Sequence, residues 1–139
     1  MRHLLLFISA LIMSGCAKYW YVGEWTVSDA TFPGISAMGL DEAREWFGSK
    51  AVYSSSLVRF RNEVCSGPVF SVELLTEDDF KKRYRASFSE LSLEGDLAEV
   101  VQVGCPLTWT APGSTFIKSN RDTAYILWDG VFFKLKRSF

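Results

Sequence analysis

Thr123-Ala124-Tyr125-Ile126-Leu127-Trp128-Asp129-Gly130-Val131-Phe132-Phe133-Lys134-Leu135-Lys136-Arg137 decides how this 139-residue chain is read. Two runs rich in β-branched and aromatic residues flank Asp129-Gly130, a pair that takes positive φ cheaply, as a type I′ hairpin turn requires. A two-residue turn sets the register. Trp128 then faces Val131, Ile126 faces Phe133 and Ala124 faces Leu135, which makes one apolar face. The opposite face carries Tyr125, Leu127 and Phe132 before giving way to Lys134 and Lys136. Only one face of a barrel strand points inward, so Tyr125, Leu127 and Phe132 form a candidate contact patch on the outside. The alternative is that a connecting helix, or the loop Trp109-Thr110-Ala111-Pro112-Gly113, covers them.

Six further segments upstream read as strands by alternation, β-branched content and turn punctuation: Trp20–Ser28, Lys50–Ser54, Leu57–Arg61, Val69–Leu75, Leu97–Gly104 and Ser114–Lys118. Two short helices interrupt them. Leu40–Phe47 has Asp41 and Glu42 in its first turn and Gly48 placed to end it. Thr76–Tyr84 opens with Thr76-Glu77-Asp78-Asp79, a threonine cap with an acid three residues on. The fold class expected is mainly β, a small antiparallel eight-stranded barrel with two short connecting helices, spanning residues 20–139. Phe60, Phe70, Trp128 and Phe133 are candidate inward positions. Side chains of that size fill a narrow lumen and leave room for only a small pocket.

Gly23-Glu24-Trp25 in the first strand resembles the G-x-W element of lipocalins and related barrels. In that family a basic residue near the last strand packs across the tryptophan, and the resemblance gives this role to Arg137 or Lys136. A second resemblance lies at the start. Arg2 and His3 precede the apolar run 4–13, about half the length of a membrane-spanning helix. Ser14-Gly15-Cys16 follows, and Met13-Ser14-Gly15-Cys16 resembles the lipobox of bacterial lipoproteins, with Met13 where the family usually has leucine. The resemblance implies a signal peptide over residues 1–15, lipidation of Cys16 and a short tether over residues 16–19. The chain is then held to a membrane by its lipid. In enterobacterial sorting an aspartate after the cysteine favours the inner membrane; Ala17 stands there, which implies the periplasmic face of the outer membrane, with the inner membrane as the other possibility.

Removing residues 1–15 from the 139 leaves 124, the size of one domain with a real core. The 15 basic side chains become 14 without Arg2, against 16 acidic ones, a balance that excludes a nucleic-acid partner. With Cys16 acylated, Cys65 and Cys105 have one possible pairing in an oxidising compartment. Such a disulfide closes a loop of about 40 residues and contributes roughly 4 kcal/mol in the chain-entropy model. Metal ligation by the same pair lacks further ligands, because the single histidine, His3, leaves with the signal peptide. No metal or other cofactor is expected.

The missing histidine also removes a His-based triad or a His-assisted cysteine nucleophile. Gly34-Ile35-Ser36-Ala37-Met38-Gly39 has its second glycine one residue late for a nucleophile elbow. Asp78 and Asp79 are a formal carboxylate pair, but acids at a helix start complement the dipole. The chain therefore reads as a non-enzyme. Lys81-Lys82-Arg83-Tyr84-Arg85 is the densest basic run, read either as a contact for anionic headgroups or as a helix that ends in cations. The expected function is that of a membrane-anchored lipoprotein binding a protein or a small apolar ligand at the cell envelope. An alternative class is an inhibitor of a secreted hydrolase. Cys65-Ser66-Gly67-Pro68-Val69-Phe70 is similar to the S-G-x-x-Y element of periplasmic C-type lysozyme inhibitors, with Phe70 for the tyrosine. Tyr125–Gly130 loosely resembles their second element, without its lysine.

Overall fold

Asp129 and Gly130 adopt φ 50° and 81°, and the hairpin they close has the register that the alternation implies, with Trp128 opposite Val131 and Ile126 opposite Phe133. In the computed structural model, residues 19–107, 109 and 111–138 are described. Among them are β1 (Gly23–Thr31), α1 (Leu40–Arg44), β2 (Lys50–Tyr53), β3 (Leu57–Phe60), β4 (Glu63–Ser66), β5 (Val69–Thr76), α2 (Glu77–Tyr84), β6 (Leu97–Gly104), β7 (Thr115–Lys118), β8 (Thr123–Trp128) and β9 (Val131–Arg137). Every ladder is antiparallel, and the strands form one sheet in the order β4-β3-β2-β1-β9-β8-β7-β6-β5.

Nine strands form a half-barrel here, which corrects the expectation of a closed eight-stranded barrel. The extra strand is β4. It follows β3 through a two-residue turn in which Arg61 holds φ 52°, a conformation glycine or asparagine usually supplies. β4 and β5 are consecutive in the chain yet lie at opposite margins of the sheet and share no ladder. β4 is half as long as β5, and Pro68 has no N–H to offer a ladder starting at their junction. A covalent tie stands near that junction instead. Cys65 of β4 is bonded to Cys105, which follows β6, with Cα atoms 5.9 Å apart.

Each face of the sheet carries its own core. Trp25, Tyr53, Phe60, Phe116 and Phe133 are fully buried on the concave face. Tyr53 donates its hydroxyl to the Gly113 carbonyl at 2.8 Å, so its one polar atom is satisfied there. The second core lies on the convex face. Phe80 of α2 and Phe88 and Leu91 of the segment after it pack on Ile117, Tyr125 and Phe132. The helix forms because Thr76 caps it, its hydroxyl accepting from the Asp79 N–H at 3.3 Å, with Glu77, Asp78 and Asp79 in the first turn and cations in the last. α1 ends at Arg44, earlier than expected, and the chain turns through Gly48 at φ 86° into β2.

The first strand begins at Gly23 rather than Trp20, because the preceding residues turn over the concave face. The Val22 N–H bonds the Tyr19 carbonyl at 3.1 Å. Trp20 stacks on Phe116 at 5.2 Å between ring centroids and donates to Glu99 at 2.7 Å, while Tyr21 meets Phe70 at 4.8 Å. Arg137 closes the plug. Its guanidinium lies 4.1 Å from the Trp25 ring centroid, the place that the G-x-W resemblance gave to a basic residue, and donates to the carbonyls of Val22, Trp20 and Arg121. Gly23 is needed beside it. Its φ is 143°, and a Cβ there would sit 2.9 Å from the Arg137 guanidinium.

Candidate functional site

The three residues of the expected contact patch have different fates. Tyr125 and Phe132 are buried under α2 and the Phe88–Leu91 segment, so they are a second core and not a free surface. This corrects the patch; the covering helix was the other reading of the same residues. Burial, and then the Asp29 carboxylate, raise the Tyr125 phenol above its ordinary value. Leu127, one step closer to the turn, is only half-buried and lines a cleft of about 450 Å³.

Three segments build that cleft. The β1–α1 loop contributes Pro33, Gly34 and Ile35, the last fully exposed. The Ala37 N–H bonds the Asp129 carbonyl at 2.9 Å, which pins this loop to the hairpin turn. Only glycine at position 130 permits that approach, since a Cβ there would lie 2.6 Å from the Ile35 carbonyl oxygen. The end of α2 contributes Arg83, Tyr84 and Arg85. Arg85 terminates the helix in the left-handed conformation, φ 59° and ψ 31°, with its N–H on the Lys81 carbonyl. Tyr84 is held from behind by Gln102, whose amide donates to the phenol oxygen at 3.1 Å.

The basic run is thus divided in its duties. Lys81 pairs with Glu77 at 2.9 Å, and this hydrogen bond and charge raise its ammonium pKa. Arg83 pairs with Glu73, whose hydrogen bond raises the guanidinium pKa above its ordinary value. Among the described residues Arg85 makes no ion pair. The cleft therefore combines an apolar floor of Ile35 and Leu127 with guanidinium groups on one wall. Such a lining suits a ligand with an apolar body and an acidic head.

The other residues of chemical interest are occupied structurally. Ser36 donates its hydroxyl to the Met38 carbonyl at 2.8 Å. Asp78 and Asp79 stand in the first turn of α2, where the Asp79 N–H is the capped one. No group of three or more His, Cys, Asp or Glu that could hold a metal ion occurs among the described residues. No helix among them is long and apolar enough to cross a membrane. Cys16 and the expected signal peptide lie outside the described residues.

No family model, curated protein or solved structure matches the chain. The site consequently stands on its own geometry. Leu127 and the arginines were singled out separately in the sequence, and the fold brings them to one cleft. Ile35 was missed as a lining residue. The signal available was a lone large aliphatic residue directly after the Pro33-Gly34 turn pair, where nothing in the pattern gives it a core to enter.

Proposed function

We propose that this chain is an exported lipoprotein, anchored through lipid on Cys16, that works as a non-enzymatic binding protein of the cell envelope. The observation that carries the reading is the Cys65–Cys105 bond, because structural disulfides persist in oxidising compartments. The Gly23-Glu24-Trp25 element under Arg137 adds support for a lipocalin-like design. Tyr19, whose carbonyl accepts from the Val22 N–H, stands three residues after Cys16, so at most about 11 Å of chain separates it from the proposed lipid and the domain is held close to the bilayer. The outer membrane's periplasmic face is the expected site, following Ala17.

Replacement of Cys16 by Ala tests the anchor. Labelled palmitate is expected to enter the parent chain and not the variant, and the variant is expected to leave the membrane fraction. A variant that remains membrane-bound, or a parent without label, overturns the anchoring.

The concave face is filled by aromatic side chains, so the cleft beside Leu127 is the better ligand site. Its proposed ligand is small and apolar with an acidic group. A fluorescent fatty acid is expected to bind the parent, and to bind Leu127→Asp and Arg85→Glu about tenfold more weakly, the scale of one lost charge-assisted contact. Equal binding by all three overturns the assignment. Nothing favours the hydrolase-inhibitor reading over this one, since Phe70 is engaged with Tyr21 rather than offered to a partner.

A further inference from the structure

The two margins of the sheet are finished differently. β4 is four residues long and carries the disulfide. β5 is eight residues long, pairs with β6 without a register break, and has no strand on its other side among the described residues. Natural sheets guard such an edge with lysine, proline, a bulge or a covering segment. β5 has none within Val69–Thr76, and its one charge, Glu73, is held by Arg83. The helix that follows packs on the convex face of β5 and β6 and adds no strand to the edge.

Among the described residues, the concave side of this edge leaves large apolar side chains exposed. Phe70, Val72 and Leu74 alternate onto the concave face, and Tyr21 covers only the first of them. Val72 is 48% exposed and Leu74 63%, and Leu97 at the adjoining end of β6 is 49% exposed. That end is acidic. Leu97 lies opposite Thr76, so Glu94 and Asp96 before β6 stand at the same end of this strand pair as Asp78 and Asp79 at the start of α2. All four are exposed, and among the described residues none makes an ion pair.

We infer that the free edge of β5 is a docking site for an extended segment of a partner protein, added antiparallel as a tenth strand, with apolar side chains at alternate positions and basic residues near its amino-terminal end. Main-chain hydrogen bonds to β5 supply affinity, and contact with Val72, Leu74 and Leu97 selects the apolar face. The charges set direction. In an antiparallel pair the incoming segment's amino-terminal end meets Thr76, where the four carboxylates stand, so lysine or arginine is favoured at that end alone.

Two eight-residue peptides of alternating valine and threonine test this, one with two lysines added at the amino terminus and the other with them at the carboxyl terminus. The chain is used as isolated from the cells that make it. The first peptide is expected to bind about tenfold more tightly than the second, to lose that advantage in high salt, and to slow hydrogen exchange at the Val69–Thr76 amides. Leu74→Lys, a change at an exposed position, is expected to weaken it about tenfold, while Glu94→Lys with Asp96→Lys abolishes the preference between the peptides. Equal binding of the two peptides, or binding that leaves the β5 amides unprotected, overturns the inference. Protection that grows with the concentration of the chain alone assigns the edge to a second copy. Protection that requires added phosphatidylethanolamine vesicles assigns it to a bilayer. Either of these also overturns it.

Discussion

Phe132 and Phe133 are neighbours on β9, are equally buried, and belong to different cores. Phe133 points to the concave face and stacks 4.5 Å from Trp46, among buried side chains drawn from two distant parts of the chain, Tyr21 to Cys65 and Val101 to Leu135. Phe132 points to the convex face. The cover over it comes from one continuous stretch, Phe80 through Leu93. The concave core is therefore built from pairings distant in sequence, and it cannot open without losing the sheet. The convex core is a local flap. Its helix and irregular segment are therefore expected to lift while the sheet persists, a sub-global opening of the kind that contiguous units undergo.

The sharpest way to break this contrast is to truncate the two phenylalanines in turn. Phe133→Ala and Phe132→Ala each remove a fully buried ring, and each is expected to cost about 3–5 kcal/mol. Their exchange patterns should differ. In Phe133→Ala, amides throughout the sheet are expected to exchange faster together. In Phe132→Ala, amides of α2 and of Leu91 and Leu93 are expected to exchange faster than those of β1 and β2. Uniform loss of protection in both variants would show one cooperative core.

Removal of the disulfide tests the same division from the edge. Cys65→Ala with Cys105→Ala frees a loop of 40 residues in the denatured chain and is expected to cost about 3–4 kcal/mol in denaturant unfolding. Cys65 is buried in the concave core, so the convex flap should keep its relative protection. A loss confined to α2 would contradict the assignment.

Legibility in the sequence follows the same line. The β8–β9 hairpin was readable because Asp129-Gly130 supplies its own turn chemistry and two-residue register. The cap of α2 was readable because Thr76 and Asp79 act within four residues. β4 was not. Its turn uses Arg61 at positive φ, with no glycine to mark it, and of its four residues only Cys65 is buried, which leaves no alternation to detect. The cover on Tyr125 and Phe132 was hidden for a related reason. Phe88 and Leu91 come from a segment without helical or strand period, so nothing local shows which face they serve. The candidate cleft was half legible: Leu127 and the arginines stood out, whereas their meeting depends on how a loop crosses the hairpin turn.

A smaller effect separates the cores by pH. Burial pushes the Tyr53 phenol well above its ordinary value of about 10. The buried neutral phenol therefore contributes stability that is fully present below pH 10 and is lost as pH rises beyond it, by about 1.4 kcal/mol per pH unit. Tyr53→Phe is expected to cost about 1–2 kcal/mol at neutral pH, since the Gly113 carbonyl loses its donor. Above pH 10 the variant should fall less steeply than the parent, and the two stability curves should cross near pH 11. Parallel curves would mean that Tyr53 ionises without opening the concave core.

The smallest effect belongs to the flap alone. Thr76→Ala removes the hydroxyl that accepts the Asp79 N–H and is expected to cost about 1 kcal/mol. If α2 folds only with the whole protein, that loss appears in full in the global unfolding free energy and nowhere else. If α2 lifts separately, the same loss also increases its open population, by about fivefold for 1 kcal/mol. Exchange at Phe80–Tyr84 that is faster than at Trp25 and Val27 in parent and variant alike, and less sensitive to denaturant, would show that the convex core opens on its own. Position 76 is suited to the question because Thr76 is exposed: its replacement leaves no cavity, so any change in α2 is due to the cap and not to repacking.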